Sequence, residues 1–238
     1  MNKLLKNLVF IDIETVCLTK HYADLHPRLQ EAWKKKALTL NPQCSEPETY
    51  YFEKGAIFAE FGKIVVIGLG YFHQNEEKEL CFRTKSIAGH NESEILSSFC
   101  EIIERGFKGE DIILCAHNGK EFDFPYLCRR MLVNGVKLPK YLDIAGKKPW
   151  EVKHLDTMEI WKFGDRKSFT SLELLAAVFN IPSSKIGIDG SKVSTAYHHD
   201  GDLESIASYC QRDVEVLAQI FLKMHCLELP KPENMVLL

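Results

Sequence analysis

The 238-residue chain lacks any stretch of transmembrane length, lacks internal repeats and low-complexity tracts, and lacks an excess of basic residues. The first absence excludes a membrane-spanning helix. Lys3 and Lys6 precede an apolar run, but Asp12 and Glu14 break it, so no secretory signal is expected. The second absence points to one domain spanning 1–238, long enough to bury a real core, with roughly 18–60 as a helical or loop subdomain or flap. The third carries a functional exclusion. With 30 Lys and Arg against 33 Asp and Glu, the formal net charge is −3, whereas a protein that grips duplex nucleic acid mainly by charge is normally basic. Any nucleic-acid contact must therefore be local. Lys34-Lys35-Lys36, Arg129-Arg130, Lys147-Lys148 and the Lys162, Arg166, Lys167 group are the candidates, and each reads equally well as a solvated helix end or loop. Cys-x-x-Cys pairs are missing as well. The eight cysteines have no framework spacing, and several, such as Cys115 and Cys210, sit in apolar or helical segments. They read as small buried hydrophobes of a reducing, cytoplasmic protein, neither disulfides nor zinc ligands.

What the chain does have is a regular alternation of element signals. Leu8-Val9-Phe10-Ile11 leads into Asp12-Ile13-Glu14 as one buried strand; Lys63–Phe72 and Leu80–Arg83 follow as strands across the polar turn at Asn75-Glu76, giving a three-strand antiparallel meander. Between the first and second lies a polar, helix-prone stretch at about 20–38, then a turn-rich segment with Pro42 and Pro47. Ser93 opens a helix with Ile95, Leu96, Phe99, Ile102 and Ile103 at the 3.6 period, stopped by Gly106. Asp111–Ala116 reads as another buried strand. Helices are predicted from Asp123 to about Val133, over Ser171–Phe179, and from about Asp202 to Met224. The last has one core-facing stripe of Leu203, Ile206, Cys210, Val214, Leu217, Phe221 and Met224. The expected class is α/β, with a mixed sheet of the antiparallel meander plus parallel strands, flanked by helices.

Three acidic sites stand out. In the first strand Asp12 and Glu14 share a face. Two carboxylates about 4 Å apart repel by roughly 4 kcal/mol at an effective dielectric near 20, and the usual remedy is a hard divalent cation bound through oxygen. The other reading is a strand that ends there with its acids in solvent. The second site is His117-Asn118-Gly119-Lys120-Glu121-Phe122-Asp123, where Asn118-Gly119 signals a turn and Asp123 falls at a helix N-terminus two residues before Pro125. Asp123 alone could merely cap that helix, and Phe122 could stack on a base or pack into the core. The third is Tyr209-Cys210-Gln211-Arg212-Asp213, with Tyr209 and Asp213 one helical turn apart, either a functional pair or a hydrogen bond at the core boundary. His198-His199-Asp200 sits on a polar loop and is not read as a metal site.

Together, Asp12-Ile13-Glu14-Thr15, Asn118 through Asp123 and Tyr209-x-x-x-Asp213 resemble the acidic 3′→5′ exonucleases, which place four carboxylates from three motifs on a ribonuclease H-like fold. Tyrosine four residues before the last Asp matches the tyrosine, or DEDDy, branch. The stretches HNGKEFDFPYLCRR, HLDTMEIWKFGDRKSFTSLELLAAVFNIPSSK, GIDGSKV and YCQRDVEV are similar to stand-alone bacterial proteins akin to the proofreading exonuclease domain of family B DNA polymerases. The likeness is weakest over about 18–55, and no motif carboxylate is missing. It implies two divalent cations, Mg²⁺ or Mn²⁺, held by Asp12, Glu14, Asp123 and Asp213, with Asp12 bridging, Asp123 on the second ion, and Tyr209 orienting the attacking water. With no extended basic stripe to grip a duplex, the expected partner is a single-stranded or frayed 3′ end, DNA in preference to RNA, with Thr15, Asn118 and Phe122 taken as sugar and base contacts and Ile13 as a further substrate-binding residue. The competing readings are an exoribonuclease and a non-catalytic nucleic-acid-binding module.

Overall fold

Leu8–Cys17 forms β1, the strand around which the molecule is built, and it lies between neighbours of opposite sense. A computed structural model describes residues 4–107, 111–165, 167–185 and 187–238. β1 pairs antiparallel with β2 (Gly62–Gln74), which pairs antiparallel with β3 (Leu80–Ala88); this is the expected meander. On its other edge β1 runs parallel to β4 (Ile113–Ala116), which runs parallel to β5 (Leu155–Asp156). A short β6 (Met235–Leu237) adds parallel to β3 and completes the order β5-β4-β1-β2-β3-β6.

Because β1 is covered on both faces, its side chains are apolar on both up to Ile11. Leu8 and Phe10 face α8 (Leu203–Met224) and pack with Phe72, Phe82, Val214 and Phe221. Val9, Ile11 and Ile13 face α3 (Glu92–Gly106) and α4 (Asp123–Val133), among Leu69, Ile95, Phe99 and Leu127. Phe10 meets Phe72 and Phe221 edge-on, with ring centroids at 5.4 Å in each case. Asn91, rather than Ser93, caps α3, accepting the Ser93 N–H at 3.2 Å.

The segment after β1 departs from the expected outline. Its polar stretch forms α1 (Pro27–Leu40), and the turn-rich part contains a second helix, α2 (Pro47–Lys54). Pro47 occupies the first helical turn, where a fixed φ favours helix and the missing N–H costs nothing, so a turn signal became a start signal. Both helices close over Trp33, Tyr51 and Phe61 beside Cys17 at the end of β1. Short helices α5 (Thr157–Lys162) and α6 (Leu172–Val178) follow β5. The single turn α7 (Val193–Thr195) runs into a π-turn at Ala196–Asp200, so His198 and His199 lie on a helical turn instead of a loop. His198 Nε2 lies 2.9 Å from the Cys17 carbonyl.

One basic candidate changes role entirely. Arg130 is buried and clasps Glu92, with Nε 2.9 Å from Oε1, while its Nη1 donates to the Ala59 carbonyl at 2.8 Å. Glu92 also accepts the Ile64 N–H at 2.7 Å, tying α3, α4 and the start of β2 together. Arg130 is therefore corrected from a candidate nucleic-acid contact to an internal clasp. Arg166 lies outside the described residues. No helix among the described residues is long and apolar enough to cross a membrane.

Candidate active site

The site forms where β1 outruns β4. The parallel pairing stops at Phe10–Cys115, which leaves the edge of β1 beyond it without a strand partner. Asp123 fills that gap: its Oδ1 accepts the Ile13 N–H at 3.2 Å. Asp123 is thus the first residue of α4 but not its cap; that position falls to Phe122, and the carboxylate turns toward the strand. Gly119, in the turn before it, has no room for a side chain, since a Cβ would sit 2.3 Å from that of Ala116.

A residue not singled out from the sequence holds this turn. Asp156, buried at the end of β5, accepts the N–H groups of Asn118 at 2.9 Å, Lys120 at 3.1 Å and Met158 at 2.9 Å. One carboxylate therefore fixes the second acidic segment and caps α5 together. Asn118 adopts a left-handed conformation, φ 62°, and its carbonyl accepts Phe122 N–H at 3.0 Å. The available signal was an Asp before Thr157 at a strand-to-helix junction.

The third element arrives from the opposite face. Asp12 pairs with Gly68, and Gly68 lets α8 approach: a Cβ there would lie 2.9 Å from Cys210 Sγ and 3.1 Å from the Cys210 carbonyl. An isolated glycine in an apolar strand was the legible sign of such an approach. The Cys210 thiol donates to Asp12 Oδ2 at 3.3 Å. Tyr209 and Ser184 hydrogen-bond Asp213, and Arg212 Nε donates to the Ser184 carbonyl at 3.0 Å, so a loop residue fixes the last carboxylate. Ser184 was not foreseen. Cys210 is buried and unpaired as expected, and its sulfur also forms a possible metal-holding trio with Asp12 and Glu14, ligand atoms within 4.8 Å of one another.

Electrostatically the four carboxyls form one unit. Burial pushes Asp12 well above the ordinary carboxylate range, and Glu14, Asp213 and Asp123 push it further. Glu14 is raised by burial, then by Asp213 and Asp123. Burial pushes Asp123 up to about 7, with the Ile13 N–H pulling back. Asp213 is raised by burial but restrained by Ser184, Tyr209, Arg212 and Lys185. Burial and the neighbouring Asp213 push the Tyr209 phenol above its usual value. Buried, mutually repelling and purely oxygen-bearing, this quartet is a donor set suited to hard divalent cations.

Of the other sequence candidates, Ile13 has its side chain in the core and Thr15 donates its hydroxyl to the Ala56 carbonyl at 2.9 Å. Phe122 is half-buried, its ring 5.3 Å from that of Tyr126.

Fold and site together define an acid-lined α/β domain of the ribonuclease H-like type. Residues 58–229 match a family described as predicted 3′→5′ exonucleases related to the exonuclease domain of PolB, and the chain belongs to that family. It is 27% identical over 190 residues to a DNA polymerase of Pyrococcus horikoshii, covering 73% of this chain and 15% of that protein. It is 26% identical over 191 residues to DNA polymerase 1 of Pyrococcus abyssi, covering 73% of this chain and 23% of the relative. The chain thus spans less than a quarter of either relative's length. Among solved structures, the family B DNA polymerase of the hyperthermophilic archaeon Pyrobaculum calidifontis superposes with a TM-score of 0.56 at 14% identity, over 92% of this chain and 24% of that one. That likeness speaks for the fold.

Proposed function

We propose that this chain is a metal-dependent 3′→5′ exonuclease of the tyrosine branch, hydrolysing the terminal phosphodiester of single-stranded or frayed DNA to release nucleoside monophosphates. The observation that carries the reading is the convergence of Asp123 and Asp213 on Asp12 and Glu14 of β1, with all four carboxyls buried or half-buried and raised by burial, and with Asp12 and Glu14 raised further by the charges of Asp123 and Asp213. Two divalent cations, Mg²⁺ or Mn²⁺, would supply the positive charge needed to activate a water and to stabilise the departing 3′ oxygen. Asp12, Glu14 and Asp213 would hold one ion, and Asp123, anchored through one oxygen to Ile13, would contribute to holding the other. Tyr209 stays protonated because burial raises its phenol, so its hydroxyl positions the water instead of taking a proton from it. Asn118 and Phe122 meet the terminal sugar and base. Ile13 and Thr15 are left as less direct contacts, since the Ile13 side chain lies in the core, its N–H is held by Asp123, and the Thr15 hydroxyl is held by Ala56. The whole chain acts as one exonuclease domain, with 18–60 as a flap beside the site.

Matched 5′-labelled DNA and RNA oligonucleotides, digested with Mg²⁺ or Mn²⁺, test the reading. A ladder shortening stepwise from the 3′ side, faster on DNA and abolished by EDTA or Asp12→Asn, is expected. Undiminished hydrolysis in excess EDTA sinks the metal reading, faster RNA digestion favours an exoribonuclease, and no hydrolysis of either favours a binding module.

A further inference from the structure

Cys210 follows Tyr209 and faces the sheet beneath the acids. Its thiol lies 3.3 Å from Asp12 Oδ2 and 3.4 Å from the Asp12 carbonyl. One ligand atom from each of Asp12, Glu14 and Cys210 lies within 4.8 Å of the other two, and no other trio of His, Cys, Asp or Glu among the described residues does so. The sulfur occupies space that residue 68 vacates by having no side chain, 2.9 Å from where its Cβ would be. Carboxylates alone are hard donors that suit magnesium and manganese. A sulfur among them adds a soft donor, which zinc and cadmium favour and those ions do not.

We propose that Asp12, Glu14 and Cys210 form a thiophilic binding mode of this site, taking Zn²⁺ or Cd²⁺ through two carboxylate oxygens and the Cys210 sulfur. The ion so held denies Asp12 and Glu14 to the hard cations and acts as an inhibitor; this consequence rests on the reading of those acids as ligands of the catalytic ions. On binding, the S–H bond breaks, its proton passes to solvent and a metal–sulfur bond forms, with no change of oxidation state. Zinc lies about 2.0–2.2 Å from oxygen and 2.3 Å from sulfur, so tetrahedral ligand pairs sit roughly 3.6 Å apart. Since the three ligand atoms lie within 4.8 Å of one another, the widest pair has to close by at most about 1.2 Å.

Cadmium titration of the metal-free full chain tests this directly, followed by the ultraviolet thiolate-to-cadmium charge-transfer band. The titration uses a Cys226→Ser background, which removes the exposed thiol. A saturable band is expected that disappears in both Cys210→Ser and Cys210→Ala. Loss of an outer-shell partner already weakens metal binding about 10–100-fold, so cadmium affinity, read by competition with a chromophoric chelator, should fall at least tenfold. Manganese affinity, read by electron paramagnetic resonance, should change far less. Asp12→Asn, which leaves the thiol in place, should also weaken cadmium at least tenfold, and this arm decides the matter if circular dichroism shows the Cys210 variants unfolded. No band in the folded protein, a band surviving both Cys210 variants, or equal losses of cadmium and manganese overturns the proposal. Because the band needs no turnover, a band without Mg²⁺- or Mn²⁺-dependent hydrolysis overturns the exonuclease reading alone, and hydrolysis without a band overturns this one alone.

Discussion

Replacing Gly68 with alanine should separate the geometry of the site from the stability of the fold. The new Cβ would lie 2.9 Å from both Cys210 Sγ and Val214 Cγ2 and 3.1 Å from the Cys210 carbonyl oxygen. Comfortable contacts of this kind lie at about 3.5–4.0 Å, so α8 must withdraw by about 0.5–1 Å, because a backbone carbonyl cannot rotate aside. Tyr209 and Asp213 ride on that helix and retreat from Asp12 with it. Overpacking of this size costs about 1–3 kcal/mol of stability. A displacement near 1 Å at a reacting centre costs on the order of 10²-fold in rate. Gly70→Ala is the matched control: its Cβ meets Phe82 Cζ at 2.5 Å and Val214 Cγ1 at 3.0 Å, but residue 70 pairs with Phe10, further from the acids. Thermal melts and kcat on a 5′-labelled single strand at saturating Mn²⁺ should show similar destabilisation in the two variants and a much larger loss of kcat in Gly68→Ala. Wild-type kcat in a folded Gly68→Ala protein, or equal kcat losses in both, refutes the reasoning.

Tyr209→Phe keeps the ring and deletes the positioning hydroxyl; activity should fall about 10²–10⁴-fold while Mn²⁺ affinity, measured by calorimetry, hardly moves. Chelator-treated protein should lose stability as pH rises from about 4 toward 7. Asp123 has its folded value raised from 3.8 to about 7, so the stability it contributes is complete below the unfolded value and lost through the folded one. That single group accounts for about 4 kcal/mol at most, and melting curves that stay flat with pH in chelator, or keep their slope with saturating Mg²⁺, contradict the shared-charge picture. Arg130→Met strands Glu92 and should cost about 3–5 kcal/mol in urea unfolding, where the same change at exposed Arg129 costs under about 0.5 kcal/mol.

The parts of the fold that were legible in the sequence are those where one physical signal dominates. The two-face apolar run of Leu8–Ile11 marked the central strand, and the stripe from Leu203 to Met224 marked α8 within a residue of each end. What escaped was set by contacts between distant segments. Pro47 reads as a turn or as a helix start from the same local chemistry, and the packing of Tyr51 against Trp33 decides between them. Asp123 reads as a cap until the end of β4 leaves the Ile13 N–H without a partner. Arg130 reads as solvated until Glu92 is placed beside it. Ser184 carries no distinctive spacing, because it acts on Asp213 far from its own segment, and the capping signal of Asp156 before α5 does not reveal that the same carboxylate also holds the Asn118 turn.

The meeting of β1 and α8 also sets when the chain acquires its chemistry. Asp12 and Cys210 touch at a sequence separation of 198, so the docking of α8 that brings Asp213 to the other carboxylates has among the largest loop-closure costs in the molecule. A partly folded intermediate with the meander and α3 in place would have Asp12 and Glu14 but not Asp213. Nucleolytic competence would then appear only with the docking of α8, which makes recovery of activity during refolding a clock for the most non-local step of the folding reaction.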